Sequence, residues 1–166
     1  FFPDVATACR AVAALKQSPV EAVEIMDRAA LRSVEGKPGM PDILSSLPDT
    51  AAALLVETRA AAHEGLSFNI AQIAAVLKPI ERLNAAEFTS VPEEFERLWK
   101  IRKGLFPSVG AVRAAGTAVI IEDVAFPVPK LADATVDLQQ LFVEHGYDNA
   151  IIFGHALEGN LHFVIT

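Results

Sequence analysis

Apolar residues recur at helical spacing near the start of the chain, at Val5, Cys9, Val12 and Leu15, and Asp4 stands just before them as a helix N-cap. Ser18-Pro19 ends that segment. Val20, Ala22 and residues 23–25 then read as a strand with Glu21 and Glu24 at its surface, followed by a short helix that ends near Gly36. Residues 36–50 are rich in Pro, Gly, Ser and Asp, which is loop chemistry, and 51–57 form a compact apolar run of strand length. Ser67 is placed to cap a helix whose Ile70, Ile73, Ala74 and Leu77 share a face, with Pro79 closing it. A further short strand fits 85–88.

Ser90 followed by Glu93 forms a capping box, and Pro92 is tolerated where the first helical N–H groups lack partners. Along this helix Phe95, Leu98 and Trp99 make an apolar stripe that Arg102 continues. A cation is thereby aimed at the buried side, either snorkelling or pairing with an internal carboxylate, or offering a guanidinium fork to a substrate carboxylate. Residues 106–116 have the Gly, Pro, Ser and Ala content of a loop near a site or of a plain connector. Residues 117–126 read as a buried strand interrupted by Glu122-Asp123, adjacent carboxylates that point to opposite faces, so at most one enters a site. Leu131, Thr135, Leu138 and Phe142 then define an amphipathic helix with Gly146 as its C-cap.

The last eighteen residues organise the rest. An apolar run at 149–154 leads to His155, a turn around Gly159-Asn160, His162, and a closing run at 163–166. Gly and Asn tolerate positive φ, so the chain reverses here. Paired as a hairpin about this turn, His155 and His162 stand opposite one another, close enough to share a divalent ion. Two structural histidines are the alternative. His145, in the last turn of the preceding helix, and His63, in an Ala-rich stretch, carry local roles only.

Composition narrows the class. Apolar residues make up 52% of the 166, which argues against disorder and for one domain with a real core. No apolar run is long enough to span a bilayer. A net charge of −7 without a basic block disfavours a nucleic-acid partner. Cys9 is the only cysteine, so no internal disulfide or iron–sulfur cluster forms, which fits a reducing, cytoplasmic setting or a peripheral one at the inner face of a membrane. No Gly-rich phosphate loop, dinucleotide fingerprint or serine elbow occurs. The absence of an initiator methionine, with a strand tail at one end and a strand at the other, reads as a domain cut from a longer polypeptide.

The stretch Gly154-His155-Ala156-Leu157-Glu158-Gly159-Asn160-Leu161-His162 resembles the glycine- and histidine-rich signature of the FAD-linked oxidase family, which includes D-lactate, glycolate and D-2-hydroxyglutarate dehydrogenases. Leu98-Trp99-Lys100-Ile101-Arg102-Lys103 is similar to that family's Trp-x-x-Arg segment, and Glu122-Asp123-Val124-Ala125-Phe126-Pro127 to its acidic-apolar-Pro segment. The resemblance runs over residues 1–166. It implies an α+β fold, an antiparallel sheet covered by helices on one side, as the ferredoxin-like, substrate-capping C-terminal domain of a flavin-dependent dehydrogenase.

The same resemblance implies that FAD sits mainly in a separate N-terminal domain, so this chain alone does not turn over substrate. It implies oxidation of a D-2-hydroxy acid to the 2-oxo acid, with the C2 hydride passing to flavin N5. His155 and His162 are then catalytic and ligate a divalent metal such as zinc or manganese, with a third ligand, a glutamate, beyond His162. Without metal, His162 is the proton acceptor. Arg102 binds the substrate carboxylate, and Glu158 orients the turn. Ile121 stands where D-2-hydroxyglutarate enzymes carry a lysine, which removes a donor for a second carboxylate. The competing class is a non-catalytic ligand-binding or oligomerisation domain in which Arg102 and both histidines satisfy internal polar groups.

Overall fold

Asp4 begins the first helix as its spacing predicts: its side chain accepts the Thr7 N–H at 2.6 Å, and helix α1 (Val5–Leu15) buries Val5, Cys9, Val12 and Leu15. In this computed structural model, which describes residues 1–38, 40–105 and 115–166, the remaining elements alternate along the chain. They are β1 (Ala22–Met26), α2 (Arg28–Arg32), β2 (Ala53–Glu57), α3 (His63–Leu77), α4 (Pro92–Lys103), β3 (Ile120–Ala125), α5 (Leu131–Glu144), β4 (Ile151–His155) and β5 (Asn160–Ile165). Short 3₁₀ turns at Asp42–Ser46, Val128–Lys130 and Ala156–Glu158 complete them.

The five strands form one sheet in the order β2-β1-β4-β5-β3, and every neighbouring pair is antiparallel. The fold is therefore α+β, an antiparallel sheet with helices. Helices α1 and α5 cover one face, where Val12, Leu15, Ile25, Ile152, Leu131 and Leu161 are fully buried. Cys9 packs there as a small hydrophobe, its Sγ 3.5 Å from Thr135 Oγ1 on α5. Burial pushes this thiol up to about 11.

The opposite face is covered too, which the one-sided expectation did not include. Met26, Ala53, Ile151, Phe153 and Val164 point that way and pack against Ala30, Leu31, Leu44, Leu47 and Leu105. Helix α2, too short for a periodicity signal, supplies part of this second cover, and the last turn of α4 another.

Several local expectations need correction. Ser67 lies inside α3, which starts at His63 after Ala62 and has no side-chain cap. No strand forms at 85–88. Ser90 does not cap α4: the N-cap is Val91, without a side-chain cap, and Thr89 instead accepts the Val91 N–H at 3.1 Å and donates to Glu94. Residues 117–126 are not a buried strand: β3 is an edge strand and its residues are mostly exposed, with Ile120 and Ile121 open to solvent. An apolar run on an edge looks, in sequence, like one in the middle of a sheet. Of the loop at 106–116, residues 106–114 lie outside the described residues.

Glu24, placed at the surface by its charge, is buried to 3% exposure. The reason is the second packed layer: Glu24 shares its face of the sheet with Met26 and Phe153, and Arg102 from α4 closes over it.

Candidate functional site

Register decides which side chains share a face, because residues directly opposite on antiparallel strands project the same way. Glu24 on β1 faces His155 on β4, Phe153 on β4 faces His162 on β5, and His162 faces Asp123 on β3. Four strands thus deliver Glu24, Phe153, His155, His162 and Asp123 to one surface. His155 and His162 are not directly opposite, as the hairpin reading has it. The β4–β5 connection is a 3₁₀ turn closed by Gly159 rather than a two-residue reversal, and the register pairs His162 with Phe153. The histidines sit diagonally, yet their rings still meet edge to face with centroids 5.2 Å apart.

Two glycines make this geometry possible. Gly159 takes φ +72, and a Cβ there would lie 1.9 Å from the Phe126 carbonyl oxygen at the end of β3. At Gly154 a Cβ would meet the Asn160 carbonyl oxygen at 2.4 Å, so the returning chain crosses directly over β4. Lys16 fastens the turn from α1, donating to the Leu157 carbonyl at 2.6 Å and pairing with Glu158 at 3.3 Å. That pairing agrees with a turn-orienting Glu158.

Each histidine is held through Nδ1 by a carboxylate. His155 Nδ1 is 2.6 Å from Glu24 Oε1, and His162 Nδ1 is hydrogen-bonded to Asp123 Oδ1. Of the adjacent carboxylates 122 and 123, only Asp123 reaches this face, while Glu122 pairs in register with Phe163, which packs against the α5 side. Arg102, at the end of α4, is buried and donates its Nε–H to Glu24 Oε2 at 2.8 Å, with its guanidinium carbon 4.7 Å from the centre of the Phe153 ring. The predicted stripe on α4 therefore splits. Leu98 and Trp99 turn instead to a groove of about 1380 Å³ that runs along β2 between α3 and α4, which His155 and His162 do not line.

The structure thus brings Arg102, His155 and His162 together, joined by Asp123, one of the two adjacent carboxylates left open in the sequence, and by Glu24 and Phe153, which sequence reasoning missed. A signal for Glu24 existed. A carboxylate inside the run Val23-Glu24-Ile25-Met26 and a cation inside the α4 stripe are each unpaired in sequence, and buried charges are paired in folded proteins. Matching the two would have found the contact. Among the described residues no group of three or more His, Cys, Asp or Glu side chains gathers at metal-binding distance.

The family model for FAD linked oxidases, C-terminal domain, matches residues 1–166. The chain belongs to the FAD-linked oxidase family. A solved structure of alkyldihydroxyacetonephosphate synthase in P1 shares its fold with a TM-score of 0.62 and 15% sequence identity, over 98% of this chain and 34% of that one. The chain thus spans about a third of the length of that protein. No curated protein matches it by sequence. Membership in the FAD-linked oxidases accords with the antiparallel α+β fold and implies an association with FAD. No helix among the described residues is long and apolar enough to cross a membrane.

Proposed function

We propose that this chain is the substrate-binding part of an FAD-dependent dehydrogenase that oxidises a D-2-hydroxy acid of the lactate, glycolate or 2-hydroxyglutarate type to the 2-oxo acid. The observation that carries the reading is the pair of imidazoles, each tied through Nδ1 to a carboxylate and meeting on one face. With Nδ1 engaged, Nε2 is the nitrogen each ring has left for chemistry. His162, the more enclosed of the two, accepts the substrate hydroxyl proton there, and His155 beside it orients the same oxygen. Arg102 lies within the same cluster, and the outer N–H groups of its fork receive the substrate carboxylate. Flavin, bound mainly by a separate domain of the longer protein, supplies the acceptor for the C2 hydride.

A divalent metal fits this donor set in part. Imidazoles that ligate through Nε2 characteristically donate Nδ1–H to a carboxylate, and both rings have that partner. His155 and His162 would hold zinc or manganese, which would acidify the bound hydroxyl. Catalytic sites of this kind use three protein ligands, so a third donor must come from outside the group seen here. Ile121 sits exposed on β3, two residues from Asp123, and offers no donor to a second carboxylate, which favours a substrate with one.

A second reading is favoured by one observation: Arg102 is already paired with a buried carboxylate. In that reading Arg102 and the histidines satisfy internal groups of a non-catalytic binding or oligomerisation domain. The full-length protein, incubated with a panel of D-2-hydroxy acids and an artificial electron acceptor, separates the two. Reduction of bound flavin by at least one of these acids, lost in His162→Ala, is expected. Failure of every acid, with flavin bound, would overturn the dehydrogenase reading.

A further inference from the structure

We propose that Glu24 and Asp123 are positioning residues that fix His155 and His162 in the Nδ1–H tautomer, and that Glu24 does so while anchoring Arg102, so that one carboxylate sets two functional groups at once. The inference rests on the dehydrogenase reading for its meaning, but its test does not depend on turnover.

The argument is one of donors and acceptors. Arg102 Nε–H can only donate, so Glu24 Oε2 accepts. A carboxylate has acceptors alone, so Oε1 accepts from His155 as well, which places the proton on Nδ1 and leaves the lone pair of a neutral ring on Nε2. Asp123 Oδ1 imposes the same choice on His162 from the other side. Both lone pairs then sit on the nitrogens remote from the carboxylates, the arrangement a base or a ligand pair needs.

Glu24 reaches its partners from a central strand. Arg102 lies 78 residues away on α4 and His155 131 residues away on β4, and Glu24 is the common neighbour of both. Replacing it with glutamine cannot serve both. The amide offers one acceptor oxygen and an NH₂ that would confront either the Arg102 N–H or the His155 Nδ1–H. The lower-cost outcome leaves the oxygen to arginine and turns the NH₂ toward a ring nitrogen that must now accept, which reverses the His155 tautomer.

The test is long-range proton–nitrogen correlation NMR on the chain with labelled histidine, at about pH 8.5, above the usual imidazole range. Both rings of the unsubstituted chain should show the Nδ1–H pattern. Glu24→Gln should switch His155 to the Nε2–H pattern and leave His162 unchanged, and Asp123→Ala, which removes the acceptor altogether, should release His162 and leave His155 unchanged. Asp123→Glu, which keeps the acceptor chemistry, should restore the His162 pattern. An unchanged His155 in a folded Glu24→Gln chain would overturn the role of Glu24. If Glu24→Gln does not fold, Asp123→Ala decides, because the Asp123 side chain is 62% exposed and its loss leaves the core intact. An unchanged His162 there overturns the proposal. Failure of the hydroxy-acid panel with these switches observed would sink the substrate assignment while leaving the positioning roles standing.

Discussion

Arg102 and Glu24 form an ion pair with both side chains buried, 9% and 4% exposed, at 2.8 Å. Buried pairs of this kind add little over an apolar pair, but breaking one strands a charge, at a cost of about 3–5 kcal/mol. Arg102→Ala is expected to lower unfolding free energy by roughly that amount, whereas Arg102→Lys retains a charge near Glu24 and should lose less. Urea denaturation of the three chains reads the order directly. Equal stability of Arg102→Ala and the unsubstituted chain would mean that Glu24 finds another partner or water.

Gly159 and Gly36 share nearly the same backbone, φ +72 and +73, but differ in surroundings. Nothing lies within 4 Å of a Cβ built on Gly36. Gly36→Ala should therefore cost only the left-handed strain, about 1–2 kcal/mol. Gly159→Ala must also displace the Phe126 carbonyl, which ends the strand that carries Asp123, and should cost clearly more. Equal losses for the two would show that the turn shifts freely.

Asp27 caps α2 from a fully buried position, accepting the Ala30 N–H at 2.7 Å while its own N–H donates to Ile152. Burial pushes its carboxyl up to about 7 against the opposing pull of backbone hydrogen bonds from Ala30 and Ile152. The folded chain then binds a proton that the unfolded chain has released, so stability falls as pH rises from about 4 to about 7 and levels off above. Over that window the loss amounts to at most roughly 4 kcal/mol. Asp27→Asn removes this slope. Denaturation at about pH 5 and about pH 8 should show a smaller difference for Asp27→Asn than for the unsubstituted chain, and identical differences would mean that Asp27 is ionised throughout.

Zinc should bind this chain weakly, because the two histidines supply two of the three ligands such a site needs. Calorimetric titration that found tight binding, abolished in His155→Ala, would reveal a third ligand within these residues and contradict the two-ligand geometry.

The legible parts of this molecule are those governed by local chemistry. Asp4 as a cap, the buried stripe of α1, the α5 face and the reversal at Gly159 follow from spacing and backbone preference, and all are found. The two-histidine turn and the inward aim of Arg102 were also readable from neighbouring residues. Glu24 was readable only as a carboxylate inside an apolar run, since its burial and its meeting with His155 depend on contacts from distant parts of the chain. The exposure of β3 was hidden for the same reason, because nothing in 120–125 records that this strand ends the sheet. The N-cap of α4 fell at Val91, one position beyond Ser90, a margin that sequence pattern does not resolve.

The pairing of β1 with β4 has a consequence for how such a protein is made. Synthesis proceeds from the amino end, and Glu24 emerges long before His155, which lies 131 positions further on. Until β4 arrives, β1 can pair only with β2, leaving one edge open and its carboxylate with Arg102 but without His155. The nascent domain must therefore wait for β4 and β5 to close the sheet, and these two strands bring both the remaining core and the two histidines.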